Sequence, residues 1–374
     1  MRICIDSIGI SEFKGTGLGT YARELISNLL NMYPQPKYDL LYDSPSFEMS
    51  TDIYSNVLPI NLNINRLNND YSNIEEHIIS NKVNIYHSPN NGFSIPKNKK
   101  CSYIATVQDL LPVINPDLVD EKYLMKFNTV FPNVIKNCDK IIVLSEFLKE
   151  QLKNYFDVPD KNILINYPGC SKIFRPKSQE SCENILSSKY KVIGDYILYA
   201  GSIHRRKNLE KLITAFRQVK QQHNDLKLLL VGSCQGKRKE YYEKLWNLTE
   251  DLKLQDSVIF TGAADYNDMP YLYSRAKCTV NLSKYESFPL STLEAMACNT
   301  PVIWNQESFF REVFESTGLA VDANDNDRLA DGILNILYSH NLRESMIKEQ
   351  RELSLKYTWE KHIANTVRLY ETFY

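Results

Sequence analysis

The stretch YILYAGSIHRRKNLEKLITAF, residues 196–216, decides the fold. It begins with an apolar, β-rich run and passes through the polar turn SIHRRKN. Leu209, Leu212, Ile213, Phe216 and, just beyond, Val219 then follow at the i, i+3, i+4, i+7, i+10 spacing of one helix face. A strand leading through a short turn into an amphipathic helix is the first half of a βαβ unit. Toward the C-terminus the alternation continues, with apolar runs at 226–231, 258–260, 278–282 and 301–303 and helical patterns around 238–251, 291–298, 327–338 and 342–354. Toward the N-terminus lies an earlier series. RICIDS (2–7) leads into GTGLGTY (15–21) and a helix with Tyr21, Leu25, Leu29 and Met32 on one face. Runs at 38–42, 83–87, 103–107, 140–144 and 163–167 follow, with helices such as 119–137 and 146–156 between some of them. The alternation therefore starts twice. YPGCSKIFRP (167–176) reads as a connector and 177–193 as polar and weakly patterned. The prediction is an α/β chain of two doubly wound domains facing each other across a cleft, with function in the loops after strands.

Composition narrows the function classes. Lys and Arg number 44 against 45 Asp and Glu, so no basic field is available to gather nucleic acid, and any phosphate recognition must be local. The eight cysteines are scattered without a CxxC pair or a Cys/His spacing suited to zinc, as expected of a reduced, cytosolic protein. The N-terminal MRICIDSIGISEFKG lacks an apolar signal region, and no run approaches the roughly 18 apolar residues of a membrane span. Peripheral membrane contact stays open.

Three segments can carry chemistry. In GTGLGTY, the loop-to-helix glycines Gly17 and Gly19 can offer bare backbone N–H groups to an anion or a polar sugar, or can simply form a tight turn. Arg205, Arg206 and Lys207 precede a helix that starts near Asn208, where cations oppose the helix dipole unless something negative is bound; a solvated basic turn is the alternative. In YESFPLSTLEAMACNTPVI (285–303), Glu286 falls in a loop and Glu294 in a helix among Ala295, Met296 and Ala297. Two such carboxylates can each accept hydrogen bonds from vicinal hydroxyls.

With these residues in place, the chain resembles the retaining GT-B glycosyltransferases of family 4. The resemblance rests on GLGTYARELI (17–26), TVQDLLPVINPD (106–117), IIVLSEFLKEQL (141–152), YPGCSKIFRP (167–176), YAGSIHRRKNLEKLITAF (199–216), LLLVGS (228–233), FTGAADYNDMPYLYSRA (260–276), and Glu286 through EAMACNTPVI. It implies an N-terminal acceptor-side domain of residues 1–172 plus 357–374, the last segment a returning helix, and a donor-binding domain of residues 173–356. Arg206 and Lys207 would bind the donor diphosphate and stabilise the leaving nucleotide without a metal or cofactor. Glu286 would hydrogen-bond the donor sugar and Glu294 the ribose. Backbone groups of Phe288 and Leu290 would approach sugar and phosphate, with Gly201, Ser202 and Gly232 lining the donor site and Gly262 to Tyr266 bordering the base. Gly17 and Gly19 would face the phosphates and acceptor.

The resemblance further implies transfer of a hexose or deoxyhexose from a nucleotide sugar, GDP-mannose or a UDP-hexose, to a glycan, lipid-linked or protein-linked acceptor. The setting would be cell-surface glycan synthesis at the inner face of the membrane. The sequence departs from the family pattern at Ser202, where many members have Arg; at Gln108, where many have His; and at Pro289, where Gly is frequent. Gln108 is no acid or base, which leaves Gln108 or Asp109 to orient groups at the anomeric centre. Gln108 and Pro289 also motivate a second reading, a weakly catalytic nucleotide-binding subunit of a glycosylation complex. Tyr285 is a candidate at the sugar, His204 at the diphosphate turn, and His87 either in a cleft or in the core. Lys122, Lys126 and Lys136 lie on a helix that either faces a membrane or packs on the core.

Overall fold

The computed structural model describes residues 1–42, 55–61, 71–314 and 317–374. The chain divides into two compact units, Met1–Gly169 with Trp359–Tyr374, and Cys170–Thr358. The expected boundaries at 172 and 356 fall a few residues inside the second unit.

The first unit holds a parallel sheet of β1 (Arg2–Asp6), β2 (Lys37–Tyr42), β3 (Val57–Asn61), β4 (Ile85–Ser88), β5 (Ser102–Val107), β6 (Lys140–Val143) and β7 (Ile163–Ile165). Their spatial order is β3-β2-β1-β4-β5-β6-β7. The second unit holds β8 (Tyr196–Ala200), β9 (Lys227–Val231), β10 (Val258–Gly262), β11 (Thr279–Asn281), β12 (Val302–Asn305) and β13 (Leu319–Val321), in the order β10-β9-β8-β11-β12-β13. Every pairing in both sheets is parallel. In each sheet the strand order reverses once, between β1 and β4 and between β8 and β11. Those two switch points, at the carboxyl ends of their strands, are where such sheets bind ligands.

The central strands are apolar because both faces are covered: Ile3 to Ile5 and Leu228 to Leu230 are fully buried. Helix Leu209–Gln222 buries Leu209, Leu212, Ile213, Phe216 and Val219, the stripe its spacing predicts. Helix Glu121–Asn137 turns Phe127, Val130, Phe131 and Val134 into the core. Its Lys126 pairs with Glu12 at 3.5 Å and caps the Phe93 ring at 5.0 Å; of the two expectations for this helix, core packing is the one realised. No helix among the described residues is long and apolar enough to cross a membrane.

Two segments differ from their sequence reading. Residues Gln179–Tyr190 form a helix, capped by Ser178, within the stretch read as weakly patterned. Only Cys182 and Leu186 are buried along it, too few to make a periodic signal. GTGLGTY is no open glycine loop, since a short helix, Ile8–Glu12, follows β1, and Gly17 already begins the helix Gly17–Met32 with Thr16 as its cap. A Cβ on Gly19 would collide with the carbonyl of Phe13, so this glycine is required by the close approach of two backbone segments.

Candidate active site

The second sheet brings the three charged candidates together. Arg205–Lys207 form a single 3-10 turn after β8, and Asn208, in the left-handed region at φ 57°, starts the helix that follows. The loop after β11 comes back to this turn, with Lys284 N–H donating to Arg206 O at 2.7 Å. Arg206 Nη1 donates to Glu286 Oε2 at 2.9 Å and to Tyr285 O at 3.0 Å. Lys207 Nζ bonds the other carboxylate oxygen, Oε1, to which the Ser283 hydroxyl also donates at 2.7 Å.

Lys207 is 5% exposed and Glu286 9%, so two cations share one carboxylate in a poorly solvated place. Burial alone would raise the Glu286 carboxyl; the Lys207 and Arg206 charges, with the hydrogen bonds from Lys207 and Ser283, overcome it and hold the group at about 2. Burial and the Arg206 charge bring Lys207 down to about 8, against the pull of Glu286. At neutral pH the cluster carries a net charge of +1, with Glu286 an acceptor only. His204 is neutral there: burial and the surrounding Arg206, Arg238, Lys207 and Arg205 lower it to about 4, and its Nδ1 accepts the Arg206 N–H at 3.2 Å.

The glycines at the strand ends bring backbone against backbone. Gly201 N–H donates to Val231 O and Gly232 N–H to Gly262 O, both at 2.9 Å. A Cβ on Gly232 would overlap the Gly201 carbonyl, so no side chain stands between these turns. The Tyr199 hydroxyl donates to Ser202 O at 2.8 Å and fixes the turn after β8. Tyr266 is held edge-on against the buried Phe174, ring centroids 5.3 Å apart. Glu294, 6% exposed on helix Leu290–Ala297, accepts the Tyr273 hydroxyl at 3.3 Å.

Three candidates are placed otherwise than the sequence suggested. The Tyr285 ring is buried and tilted against Phe309, and its carbonyl accepts from Arg206. Pro289, at φ −83° and ψ 67°, makes an inverse γ-turn in which Leu290 N–H donates to Phe288 O at 2.9 Å. The Leu290 N–H expected at the phosphate is thus engaged within its own loop. Gln108 sits in the first unit as a brace: its amide Nε2 donates to Pro89 O at 2.8 Å and Leu18 O at 3.4 Å, and its backbone N–H to Asn91 Oδ1 at 2.6 Å. Asp109 beside it accepts Leu111 N–H at 3.2 Å.

His87 belongs to the core. It is fully buried, its Nδ1 2.6 Å from the Tyr370 hydroxyl and its Nε2 2.8 Å from Thr106 Oγ1. With His362, 3.0 Å from the Tyr21 hydroxyl, it ties the C-terminal helix Trp359–Glu371 to the first sheet. Sequence reasoning missed the polar group at the first switch point. There Asp6, at the end of β1, accepts the Ser94 hydroxyl at 2.5 Å, the Ser88 hydroxyl at 3.4 Å and Ile8 N–H at 3.0 Å. Its only signal was an aspartate closing a strand.

Residues 189–353 match the family described as Glycosyl transferases group 1. The O-antigen chain mannosyltransferase B of Escherichia coli is 26% identical over 287 residues, which are 77% of this chain and 74% of that protein. Among solved structures, sucrose-phosphate synthase from Thermosynechococcus elongatus superposes with a TM-score of 0.79 at 21% identity, covering 100% of this chain and 98% of the other. Anabaena HepE, in complex with UDP and glucose, superposes with a TM-score of 0.78 at 13% identity, over 100% and 99% of the two chains. Residues 189–353 thus match the group 1 glycosyltransferases, and the two parallel-sheet units are those of the GT-B fold.

Proposed function

We propose that this glycosyltransferase moves a hexose or deoxyhexose from a nucleoside diphosphate sugar, GDP-mannose or a UDP-hexose, to a saccharide acceptor, free, lipid-linked or protein-linked. The transfer retains anomeric configuration, uses no metal or cofactor, and serves cell-surface glycan synthesis at the cytoplasmic face of the membrane. The observation that carries the reading is the buried cluster of Arg206, Lys207 and Glu286 at the switch point of the second sheet. The O-antigen mannosyltransferase relative supports the choice of acceptor, and the HepE complex with UDP and glucose supports the choice of donor.

The chemistry follows from the charges. As the bond from C1 to the phosphate oxygen breaks, negative charge gathers on the leaving diphosphate. Arg206 and Lys207 are preorganised to receive it in a poorly solvated place, where such stabilisation is strongest. Glu286, ionised throughout the neutral range, accepts hydrogen bonds from sugar hydroxyls and donates none. The acceptor hydroxyl attacks C1 on the face the phosphate leaves, and its proton passes to a phosphate oxygen, so no protein base is needed. Glu294 accepts from the ribose hydroxyls, and Tyr266 borders the base.

The test is a transfer assay with GDP-mannose and UDP-hexoses in the presence of EDTA, the product linkage read by NMR. An α-linked product from an α-configured donor is expected. A β-linked product, or transfer that stops on chelation, would contradict the mechanism.

A further inference from the structure

The first unit carries a second polar recess, at the switch point of its own sheet. Asp6 ends β1, Asn90 follows β4, and the recess between them is completed by Ser94, Phe13, Phe93 and the Glu12–Lys126 pair. Asn90 is 3% exposed, and both atoms of its amide, Nδ2 and Oδ1, lack any hydrogen-bond partner. A buried amide with both ends unmet is costly, and a folded protein keeps one where something else completes it. Gly9 packs so closely on this amide that a Cβ there would overlap it, which fixes the plane of the side chain.

The chemistry of the recess selects its occupant. Asn90 needs a partner that accepts from Nδ2 and donates to Oδ1. A hydroxyl group does both, whereas a phosphate or carboxylate oxygen only accepts and an ammonium only donates. The Asp6 carboxylate on the same wall repels anions, and Lys126 is already committed to Glu12 and to the Phe93 ring. The free space is about 20 Å³, room for one oxygen-sized group. Ile8, Phe13 and Phe93 supply an apolar wall beside it, suited to the carbon face of a sugar ring.

Resting on the glycosyltransferase reading above, we propose that this recess takes one hydroxyl of a neutral sugar residue at the end of the acceptor, with Asn90 as the residue that reads it. Asn90 then determines acceptor specificity and takes no part in donor binding.

The experiment uses the full chain saturated with UDP or GDP, whichever binds. Methyl glycosides of mannose, glucose, galactose, rhamnose and N-acetylglucosamine, with the monodeoxy analogues of any that bind, serve as probes. Binding is read by saturation-transfer NMR titration in wild type, Asn90→Ala and Gly9→Ala, the last displacing the amide without removing it. We expect at least one glycoside to bind wild type and to lose about tenfold or more in affinity in both variants. One monodeoxy analogue should lose as much in wild type and nothing further in Asn90→Ala, the signature of a direct pair. Because the Asn90 side chain makes no hydrogen bond in the fold, Asn90→Ala should melt within about 2 °C of wild type.

Equal glycoside binding by wild type and both variants would overturn the proposal, as would binding of nucleotide with no glycoside, which marks the recess as the seat of a permanent water. A fall of several degrees in the melting point of Asn90→Ala would make the residue structural and overturn it too. Loss of UDP-glucose affinity with UDP affinity unchanged would assign the recess to the donor sugar, against the proposal. Failure of nucleotide to bind wild type would sink the donor reading alone, since glycoside binding that depends on Asn90 would still stand.

Discussion

The two sheets solve the same topological problem with opposite chemistry. Each reverses strand order once and gathers polar residues at the carboxyl ends beside the reversal. In the second sheet these are Arg206, Lys207 and Glu286, two cations against one carboxylate. In the first they are Asp6, Ser88, Ser94 and Asn90, hydroxyls and an amide around a carboxylate. The fold supplies the place; the sign of the charge and the balance of donors and acceptors decide the ligand. A net positive cluster suits a diphosphate, and an amide wanting both a donor and an acceptor suits a hydroxyl.

The strongest way to break this contrast is at Glu286. Glu286→Ala leaves the buried Lys207 and the partly exposed Arg206 without their carboxylate, and we expect the fold to lose about 3 kcal/mol. Turnover should fall about 10²–10³-fold, while affinity for nucleoside diphosphate stays level or rises because a competing anion is gone. Thermal melts with and without nucleotide, beside steady-state kinetics, check all three, since bound diphosphate should restore much of the lost stability. Affinity that falls in step with turnover would remove the division of labour between Glu286 and the cations.

Pairing the two sites sharpens the comparison. Lys207→Ala should weaken nucleotide binding about 10–100-fold and leave methyl glycoside affinity untouched, and Asn90→Ala should do the reverse. In the double variant the two losses should add to within about 0.5 kcal/mol, as measured by titration of each ligand.

A smaller effect separates the sites by pH. Lys207 titrates at about 8 in the free protein, and a bound diphosphate favours its protonated form. Binding therefore takes up a proton above that pH, and affinity for UDP-glucose or GDP-mannose should fall as pH rises past 8, by up to tenfold per unit. Glycoside affinity, which rests on a neutral hydroxyl meeting the Asn90 amide, should stay flat over the same range, and Lys207→Ala should flatten the nucleotide profile as well. The smallest effect concerns His87, whose burial lowers it from 6.5 to about 3. Its folded value lies below its unfolded one, so its contribution to stability is complete above pH 6.5 and is lost as pH falls toward 3. His87→Gln should show a shallower decline of melting temperature across that window.

What the sequence revealed follows from how local each signal is. Arg206, Lys207 and Glu286 were legible because each lies in a short loop directly after a recognisable strand, where charge has few structural uses. The alternation of strands and helices gave both sheets for the same reason. Asp6 and Asn90 were not legible as a pair, since they stand 84 residues apart in the chain and are brought together by the β1–β4 pairing. At Gly19 two readings stayed open, because a glycine needed for close packing and one needed for an anion look alike in sequence; the packing against Phe13 is the one the structure displays. Leu290 misled because the turn at Pro289 engages its N–H, a matter of backbone angles that residue types alone do not disclose.

We propose Arg206, Lys207 and Glu286 as a donor diphosphate site that works without metal. Calorimetric titration of UDP, GDP, TDP and ADP in EDTA, into wild type and Lys207→Ala, tests it most directly. We expect one preferred nucleotide, bound by wild type and at least tenfold more weakly by the variant. No binding by any of the four, or equal binding by both proteins, would contradict it and turn the cluster into a structural ion pair.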